Sequence, residues 1–368
     1  MENVKSRILF VSRGMGIGGA QKALVFVANT CAEAGYDVTI VSLSDTEPNL
    51  KIDSRIKVEF IGYNSDTVNK SSAYKRMYSK LNLLLKLRKC INDARPNLVV
   101  TFMADIVRIV TLSMRGIDVP IIGSERANPL GYSKKQFNKY AQSYDRCTKL
   151  VFQTNKAASV FDKDILSKSV VIPNPSIPRL NPIEAHKGQR KKVIAAAGRL
   201  HSQKRFDILI SAFSKVIEQH PDYQLHIYGE GEEREVLQNK ITELNIEDKV
   251  FLKGEHKDVF SQVNDNSMFV LSSDYEGIPN VLIEALSIGM PCISTDCDPG
   301  GPRQLLDEGR RGLLVPVGDI NALTDAICTY INDSELARTL GEKGKEVNSE
   351  LAPEVIGEKW LKVIKSAL

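Results

Sequence analysis

Two carboxylates, Glu276 and Glu284, are separated by seven residues that include a glycine and a proline. Gly277 and Pro279 predict a turn, and a helix is predicted to begin near Asn280. Glu276 then falls in a loop, whereas Glu284 falls about one turn into the helix, where its two oxygens suit vicinal hydroxyls. The free amides at the helix start suit a phosphate. The alternative is that Glu276 caps the helix and Glu284 is solvated.

A basic pair, Arg199 and Lys204, follows Gly198 and the short apolar run Val193–Ala197. Such a run is typical of a buried parallel strand, and ligands in open α/β sheets bind beyond the carboxyl ends of strands. The guanidinium offers a planar fork of donors and the ammonium offers a point charge, so the pair suits a diphosphate. A solvated basic loop is the alternative.

A glycine loop, Gly14-Met-Gly-Ile-Gly-Gly19, lies between the apolar run Ile8–Val11 and a helical pattern that starts at Ala20. Its backbone amides suit an anionic or polar ligand. The loop departs from G-x-G-x-x-G, although Asp45 is near the place where a dinucleotide fold holds its ribose-binding acid. An NAD-dependent oxidoreductase is therefore an alternative, but it leaves the motifs of the second half unexplained.

The length of 368 residues predicts two domains, and the net charge of +4 is too small to imply nucleic acid. The six cysteines form no C-x-x-C pair and no zinc-type cluster, which indicates reduced thiols in a reducing compartment. We expect a cytoplasmic protein, because the start lacks a signal-peptide pattern and no apolar run has the length of a membrane span.

Short apolar runs alternate with helical periodicity along the chain, which predicts α/β domains with parallel sheets. One set of predicted strands extends from Ile8–Val11 to Val170–Ile172, and a second from Val193–Ala197 to Pro291–Ser294. The fold predicted is therefore two doubly wound, Rossmann-like domains that face each other across a cleft. Their ranges are 1–178 and 190–352, with a linker within 173–190 and a C-terminal helix, 353–368, that closes back on the first domain.

The segment EGIPNVLIEAL, with Glu276 and Glu284, resembles the signature of the retaining glycosyltransferases of family four, which have the GT-B fold. The resemblance covers most of the chain, because further segments match family motifs in the same order. These segments are GIGGAQKAL (16–24), GRLHSQKRFD (198–207), IYGEGE (227–232), CDPGGP (297–302) and GLLVPVGD (312–319). The resemblance implies a hexosyltransferase with an N-terminal acceptor domain and a C-terminal nucleotide-sugar domain.

The resemblance also implies a role for each matching position. Arg199 and Lys204 would neutralise the donor diphosphate, Glu276 would contact the transferred sugar, and Glu284 would bind the ribose hydroxyls. The segment 254–256 would lie against the base, and the loop 16–19 would approach the donor from the opposite domain. The donor-binding positions are thus Gly16, Gly18, Gly19, Gly198, Gly229, Gly254, His256, Gly277, Ile278, Pro279, Asn280 and Glu284.

One departure from the family concerns the first domain, where many relatives carry a histidine near the strand matching Pro120–Gly123. All five histidines here lie at position 186 or later. The corresponding segment, Ser124-Glu-Arg-Ala-Asn-Pro129, resembles that of some relatives that build bacterial surface polysaccharides. Arg126 would then supply the contact as a catalytic residue, with a salt bridge involving Glu125 as the alternative.

Asp296-Cys-Asp298 spells D-x-D, the metal–diphosphate motif of the other glycosyltransferase fold. Here it lies in a segment that is variable in the family, so we interpret it as structural. We expect no metal and no cofactor, since family members retain the anomeric configuration without a metal. The leaving phosphate would help to deprotonate the acceptor on the face from which it departs.

The segment Lys70–Arg95 carries eight cations and one acid, and apolar residues recur in it at helical spacing over the predicted helix Tyr74–Ala94. A basic amphipathic helix suits anionic lipid or a diphosphate-linked carrier. Lys75, Arg76 and Lys80 are therefore candidate membrane or acceptor contacts. An ordinary domain helix with a solvated basic face is the alternative.

The function predicted is transfer of a hexose or N-acetylhexosamine from a UDP-sugar to a glycan. The acceptor is expected to be lipid-linked and to serve bacterial surface-polysaccharide synthesis, at the inner face of the cell membrane. A nucleotide-sugar epimerase of the same fold and a non-catalytic glycan-binding protein are the alternatives. The absence of a histidine before position 186 argues against the epimerase, and the complete set of charged motif residues argues against the binder.

Overall fold

The computed structural model describes residues 5–16, 18–45, 50–64, 72–176, 183, 185–186 and 188–368. Lys70, position 178 and parts of the predicted linker 173–190 lie outside the described residues. The chain forms two compact units, Met1–Pro173 with Glu354–Leu368, and Asn174–Pro353. Asn174 and Ser176, which the sequence interpretation assigned to the first domain, bond within the second unit, to Asn280 and Leu351.

The first unit is built on a seven-stranded sheet, in which every pair of neighbouring strands is parallel. Its strands are β1 (Arg7–Ser12), β2 (Asp37–Ser42), β3 (Lys57–Phe60), β4 (Leu98–Phe102), β5 (Ile121–Ser124), β6 (Lys149–Phe152) and β7 (Ser169–Val171). Their order, β3-β2-β1-β4-β5-β6-β7, reverses direction between β1 and β4. This is the doubly wound arrangement predicted from the sequence.

Helices connect these strands. They are α1 (Gly19–Glu33), α2 (Ala73–Ala94), α3 (Ala104–Ser113), α4 (Lys134–Tyr144), α5 (Asn155–Ser159) and α6 (Lys163–Ser167), with a 3₁₀ turn at Pro129–Gly131. All five residues of β4 are buried, as expected for a strand that is covered on both faces.

The second unit is built on a six-stranded parallel sheet in the order β10-β9-β8-β11-β12-β13. The strands are β8 (Lys191–Ala197), β9 (Gln224–Tyr228), β10 (Val250–Gly254), β11 (Asn266–Leu271), β12 (Cys292–Thr295) and β13 (Leu313–Val315). Here the order reverses between β8 and β11. The three-residue edge strand β13 was not predicted from the sequence.

The second unit has its own core. Its helices are α7 (Phe206–Gln219), α8 (Arg234–Glu243), α9 (Val259–Val263), α10 (Asn280–Ser287), α11 (Gly301–Leu305), α12 (Ile320–Asn332), α13 (Ser334–Gly344) and α14 (Val347–Glu350), with 3₁₀ turns at Ser202–Lys204 and Asp307–Gly309. Leu209, Phe213 and Val216 recur on one face of α7 and are fully buried with Ile327 of α12.

The last helix, α15 (Pro353–Ala367), returns to the first unit, which confirms that part of the predicted fold. Trp360 is 1% exposed, and its ring stacks on that of Phe102 at the end of β4, with centroids 5.4 Å apart. Gly357 lets the helix approach Thr30 of α1.

All six cysteines lie in the described part of the chain and none forms a disulfide. No helix among the described residues is both long and apolar enough to cross a membrane.

Candidate active site

The charged motif residues of the second unit lie where its strand order reverses. The loop after β8, 198–205, and the loop after β11, 272–279, leave neighbouring strands at the same edge of the sheet. Crevices outside the carboxyl ends of strands at such a reversal are the usual ligand sites of doubly wound sheets. The topology therefore brings together Lys204 and Glu276, which are 72 positions apart in the sequence.

Lys204 and Glu276 form an ion pair at the centre of this site. The Lys204 Nζ lies 2.5 Å from Glu276 Oε1, and the two side chains are only 16% and 11% exposed. Ser273 Oγ donates a second hydrogen bond, of 2.9 Å, to the same oxygen. No described residue donates to Oε2. The arrangement thus fixes one oxygen of Glu276 and leaves the other to accept hydrogen bonds from a ligand.

Backbone bonds hold the two loops together independently of the ion pair. The Asp274 amide donates to the Gln203 carbonyl at 2.9 Å, and Gln203 Nε2 donates to the Tyr275 carbonyl at 2.7 Å. The Glu276 amide donates to the Asp298 carbonyl at 2.8 Å. Since these bonds fix the backbone of residues 274 to 276, the carboxylate is positioned before any ligand binds.

Arg205 supports the same loop with charge. Its guanidinium donates to Asp274 at 3.0 Å and to Asp207 at 3.0 Å. These charge-assisted bonds raise the pKa of Arg205, with the bond to Asp207 as the largest cause. Arg205 is thus held by two carboxylates of the protein. Lys204 bonds Glu276 with one of its three N–H donors and Arg199 is exposed, so these two cations of the loop can still donate to a ligand.

Glycines allow the loops to approach this closely. A Cβ on Gly229 would overlap the carbonyl oxygen of Gly198, and the φ of 141° at Gly229 is one that side chains disfavour. A Cβ on Gly301 would likewise overlap the carbonyl oxygen of Gly277. The predicted site glycines Gly198, Gly229 and Gly277 thus take part in contacts between backbones.

The helix α10 begins where the sequence predicted, with Pro279 as its N-cap and no side chain capping it. Leu282 and Ile283 donate their amides to the Pro279 carbonyl, which leaves the amides of Asn280 and Val281 for a ligand. Glu276 does not cap the helix, so that alternative is wrong. Glu284 lies one turn into the helix, half-buried.

A cavity of about 390 Å³ opens beside this helix. Its volume falls in the range typical of small-molecule sites. A Cβ on Gly198 would lie 3.0 Å from Lys204 Cε, so this lining residue adjoins the ion pair. The lining consists of Ala197, Gly198, Arg199, Tyr228, Gly229, Glu230, Glu255, His256, Lys257, Asp258, Val259, Phe260, Val281 and Glu284.

His256 stands in this cavity with both ring nitrogens engaged. Nε2 donates to the Lys253 carbonyl at 3.0 Å, and Nδ1 accepts from Gln262 Nε2 at 3.0 Å. The imidazole also packs edge to face with Tyr228, at 5.4 Å between centroids. Such a wall of rings suits a flat heterocycle.

Four of the predicted donor-binding positions share the cavity with Arg199, namely Gly198, Gly229, His256 and Glu284. Gly254 lies next to it, because the Gly229 amide donates to the Gly254 carbonyl. Ile278 and Asn280 lie near the start of α10, where Asn174 Nδ2 donates to the Asn280 Oδ1 at 2.9 Å. The sequence interpretation missed Tyr228 and the segment 257–260, although Tyr228 is the last residue of β9 and the segment comes soon after β10.

Neither Cys297 nor the D-x-D motif resembles a reactive centre. Burial, reinforced by the Glu276 charge, raises the pKa of the Cys297 thiol to about 12, so the thiol stays neutral. Asp296 is paired with Arg303. Asp298 contributes its carbonyl to the Glu276 amide. The described residues include no group of three His, Cys, Asp or Glu side chains placed to hold a metal ion.

In the first unit, Glu125 is a structural acceptor. It is 1% exposed and accepts hydrogen bonds from the amides of Arg126 and Ala127 and from the hydroxyls of Tyr132 and Tyr144. Four donors satisfy most of the capacity of a carboxylate. Glu125 therefore anchors the loop that carries Arg126.

Arg126 packs between aromatic rings. Its guanidinium lies 4.9 Å from the ring centroid of Phe102 and 5.5 Å from that of Trp360, and Nε donates to Ser124 Oγ at 2.8 Å. Burial lowers the pKa of Arg126 to about 9, with the Glu125 charge acting in the opposite direction. The side chain stays protonated at neutral pH. Its catalytic role remains a prediction.

The glycine loop follows β1 and ends at α1. Gly18 is the N-cap of α1 and no side chain caps the helix. Gly16 and Gly19 lie on either side of it, and Ile17 is outside the described residues. The loop thus has the position predicted for it, and its contact with a donor remains a prediction.

The chain resembles known proteins over nearly its full length. Residues 181–347 match the family model of glycosyl transferases group 1. An uncharacterized glycosyltransferase of Haemophilus influenzae is 26% identical, over 93% of this chain and 95% of its own. The Campylobacter jejuni enzyme named GalNAc-alpha-(1->4)-GalNAc-alpha-(1->3)-diNAcBac-PP-undecaprenol alpha-1,4-N-acetyl-D-galactosaminyltransferase is 25% identical, over 97% of this chain and 98% of its own.

The fold has solved counterparts. The structure of HepE of Anabaena in complex with UDP superposes with a TM-score of 0.77, at 16% identity, over 98% of this chain and 100% of that one. This likeness concerns the fold alone, whereas the family match and the full-length relatives concern the kind of enzyme. With two doubly wound units and the Lys204–Glu276 site, these likenesses identify the chain as a glycosyltransferase of the GT-B class.

Proposed function

We propose that this enzyme transfers a hexose or N-acetylhexosamine from a UDP-sugar to a glycan, with retention of anomeric configuration and without a metal. The observation that carries the proposal is the Lys204–Glu276 pair beside a cavity of nucleoside size. Like the enzyme of C. jejuni, it would act on a lipid-linked acceptor, and its pathway would build a bacterial surface polysaccharide.

The order in which the side chains line the cavity supports a nucleotide as the donor. The rings of His256 and Tyr228 would lie against the base, and Glu284 would accept hydrogen bonds from the ribose hydroxyls. Arg199 and Lys204 would meet the diphosphate, and the Asn280 and Val281 amides would add donors at the helix start. HepE of Anabaena was solved in complex with UDP, which supports the choice of nucleotide.

Glu276 would orient the transferred sugar rather than attack it. Because Oε1 already accepts from Lys204 and Ser273, this oxygen is committed within the protein, whereas Oε2 can accept from sugar hydroxyls. The acceptor oxygen would form its bond to the anomeric carbon on the face from which the diphosphate leaves. The acceptor proton would pass to the leaving phosphate oxygen, whose charge Lys204 and Arg199 stabilise.

The same cations support the proposal that the reaction needs no metal. Two positive side chains neutralise a diphosphate in place of a divalent ion. Asp296, the first acid of the D-x-D motif, is already paired with Arg303. The group that a metal would need is therefore committed to another partner.

The test uses UDP-glucose, UDP-galactose, UDP-GlcNAc and UDP-GalNAc with a synthetic short-chain polyprenyl-diphosphate-linked sugar. We expect UDP release with one of these donors, at the same rate with and without EDTA. We also expect NMR of the product to show an axial (α) linkage. Epimerisation of the donor without UDP release would make the protein an epimerase. Binding of a donor without any turnover would make it a binding protein, and a β-linked product would overturn retention.

Helix α2 supports the proposal that the enzyme works at a membrane surface. We propose that this surface is the cytoplasmic face of the cell membrane. Of its 22 residues, Leu83, Leu87 and Ile91 are buried, so one narrow face meets the core. On the opposite face an apolar stripe is 54 to 73% exposed. The stripe, called here the α2 stripe, consists of Tyr74, Met77, Tyr78, Leu81 and Leu85.

Cations flank the α2 stripe. Lys75, Arg76 and Lys80 are exposed on the first two turns of the helix. Apolar residues between exposed cations characterise helices that lie in a bilayer interface. An ordinary solvated helix would not expose five large apolar residues at helical spacing.

Flotation with vesicles tests this surface. At about 1 kcal/mol per cation, replacing Lys75, Arg76 and Lys80 by Glu should lower partition onto phosphatidylglycerol-containing vesicles by a factor of about 100 or more. Replacing Met77 and Leu81 by Ser should also lower it. Val236→Ser removes an equally exposed apolar residue of α8 and should change nothing. Unchanged flotation of both α2 variants would overturn the proposal.

A further inference from the structure

A second cavity, of about 240 Å³, lies in the first unit between α2 and the segment that follows β3. It has room for about eight water molecules at ~30 Å³ each. The residues Gly62, Tyr63 and Asn64 line one wall, directly after the carboxyl end of β3. This is the sheet edge at which doubly wound sheets bind ligands.

The other wall is a polar face of α2. Ser79, Asn82 and Lys86 are spaced by three and four residues, so they share one side of the helix. They present a hydroxyl, an amide and an ammonium. Lys86 Nζ donates to the Ile61 carbonyl at 3.3 Å, which joins this wall to the first.

The chemistry of the cavity suits a neutral polyol better than an anion. Besides the amides of Asn64 and Asn82, the walls carry the Ser79 hydroxyl and the Tyr63 ring. Among the described lining residues Lys86 is the single cation, and its ammonium already donates to the Ile61 carbonyl. A phosphate would meet only this one charge, whereas sugar hydroxyls can donate to amide oxygens and accept from amide and ammonium donors.

The cavity also has a fixed relation to the α2 stripe. One residue along a helix turns by about 100°. Ser79, Asn82 and Lys86 each directly follow a residue of the α2 stripe, namely Tyr78, Leu81 and Leu85. The cavity therefore opens beside the stripe over the same turns of the helix. If the stripe rests on a bilayer, the cavity faces the layer in which the first sugars of a lipid-linked glycan lie.

We infer that this cavity binds a sugar residue of the acceptor glycan. The inference rests on the proposed function and names the place in the first unit where the acceptor is held. Asn82 and Ser79 would fix hydroxyl groups, and the ring of Tyr63 would meet an apolar face of the pyranose.

Saturation-transfer NMR on the full chain tests the inference. The probes are the methyl α-glycosides of glucose, galactose, GlcNAc and GalNAc, with UDP present as an internal reference. We expect saturation transfer to at least one glycoside and to UDP. In Asn82→Leu the affinity for the glycoside should fall by about fivefold or more, the equivalent of one hydrogen bond, while UDP is unaffected. Asn239→Leu, on the exposed face of α8, is the matched control and should leave both signals intact.

The outcomes separate the two proposals. Loss of the UDP signal from the wild-type protein would contradict the proposed function, and loss of the glycoside signals alone would overturn the cavity assignment. Glycoside binding that survives Asn82→Leu, or that inorganic diphosphate abolishes, would also overturn it. Should Asn82→Leu fail to fold, Ser79→Val probes the same wall with the same expectation.

Discussion

At the scale of single residues, Glu276 shows how surroundings decide what a carboxylate can do. One of its oxygens is held by an ammonium and a hydroxyl, and its backbone is bonded to Asp298. Glu276 therefore has one committed oxygen, which fixes its position, and one available oxygen, which can accept hydrogen bonds from sugar hydroxyls. We expect it to recognise the sugar.

Replacing Glu276 by Gln tests this assignment, because the amide keeps the shape and removes the charge. We expect kcat/KM for transfer to fall by about 10²-fold or more, comparable to loss of one well-placed polar group. UDP affinity should change less than threefold, because the nucleotide cavity is lined by other residues. Steady-state kinetics and calorimetric titration with UDP provide the two measurements. Transfer at the wild-type rate would contradict the assignment.

Ser273 is predicted to act as a positioning residue. It is fully buried and donates to Glu276 Oε1, and its carbonyl accepts from Thr295 Oγ1. In Ser273→Ala the carboxylate loses one of two donors, so kcat should fall by about tenfold while KM for the donor stays within about twofold. Ser214→Ala removes a hydroxyl that bonds only within α7 and serves as the control. An increase in KM without a change in kcat would contradict a positioning role.

Sequence reasoning found the charged residues of this site but not their supports. Lys204 and Glu276 could be predicted as candidates because charged groups after strands are conspicuous, and Glu284 because it lies about one turn after the predicted helix start. Their pairing could not be predicted, because it depends on which strands are neighbours in the sheet. Ser273 was missed for another reason: a buried serine after a strand has neither charge nor a distinctive spacing.

At the scale of elements, the loops that leave parallel strands must come close enough to build one site. Gly229 follows β9, and Gly198 follows β8. The Gly198 amide donates to the Tyr228 carbonyl at 2.9 Å, which places the two turns against each other. Strand positions were predicted to within about two residues, since their apolar runs are explicit. The contact between the turns after β8 and β9 was not predicted, because a glycine in a sequence does not show which backbone it will contact.

Gly229→Ala is therefore expected to disturb both stability and nucleotide binding. The new methyl group would overlap the Gly198 carbonyl, and alanine disfavours the φ of 141°. We expect a loss of about 2–4 kcal/mol in the free energy of unfolding and weaker UDP binding. Gly131→Ala, whose new Cβ would find its nearest neighbour at 3.8 Å, should leave both unchanged. Chemical denaturation and UDP titration of the two variants measure the difference, and equal behaviour would refute the overlap argument.

At the scale of the whole molecule, the chain leaves the first unit, builds the second and returns through α15. Trp360 is the only tryptophan, and it is buried against Phe102 and the Arg126 guanidinium of the first unit. The sequence predicted a C-terminal helix, 353–368, that closes back on the first domain. It could not reveal that the indole of this helix packs against Arg126, because Phe102 ends β4 whereas Arg126 follows β5.

Trp360→Ala should thus weaken the first unit and spare nucleotide binding by the second. Removing a buried indole costs about 3–5 kcal/mol, and for a unit of this size each kcal/mol lowers the melting temperature by about 2–4 °C. We expect the calorimetric transition of the first unit to fall by about 10 °C. UDP should bind as tightly as before and should still raise the transition of the unit that holds its cavity. Trp360→Phe keeps a ring beside Phe102 and Arg126, so it should lower the transition temperature of the first unit by less than half as much. Because each unit has its own buried core, a loss of UDP affinity in Trp360→Ala would mean that the two cores do not fold independently, and would contradict this account.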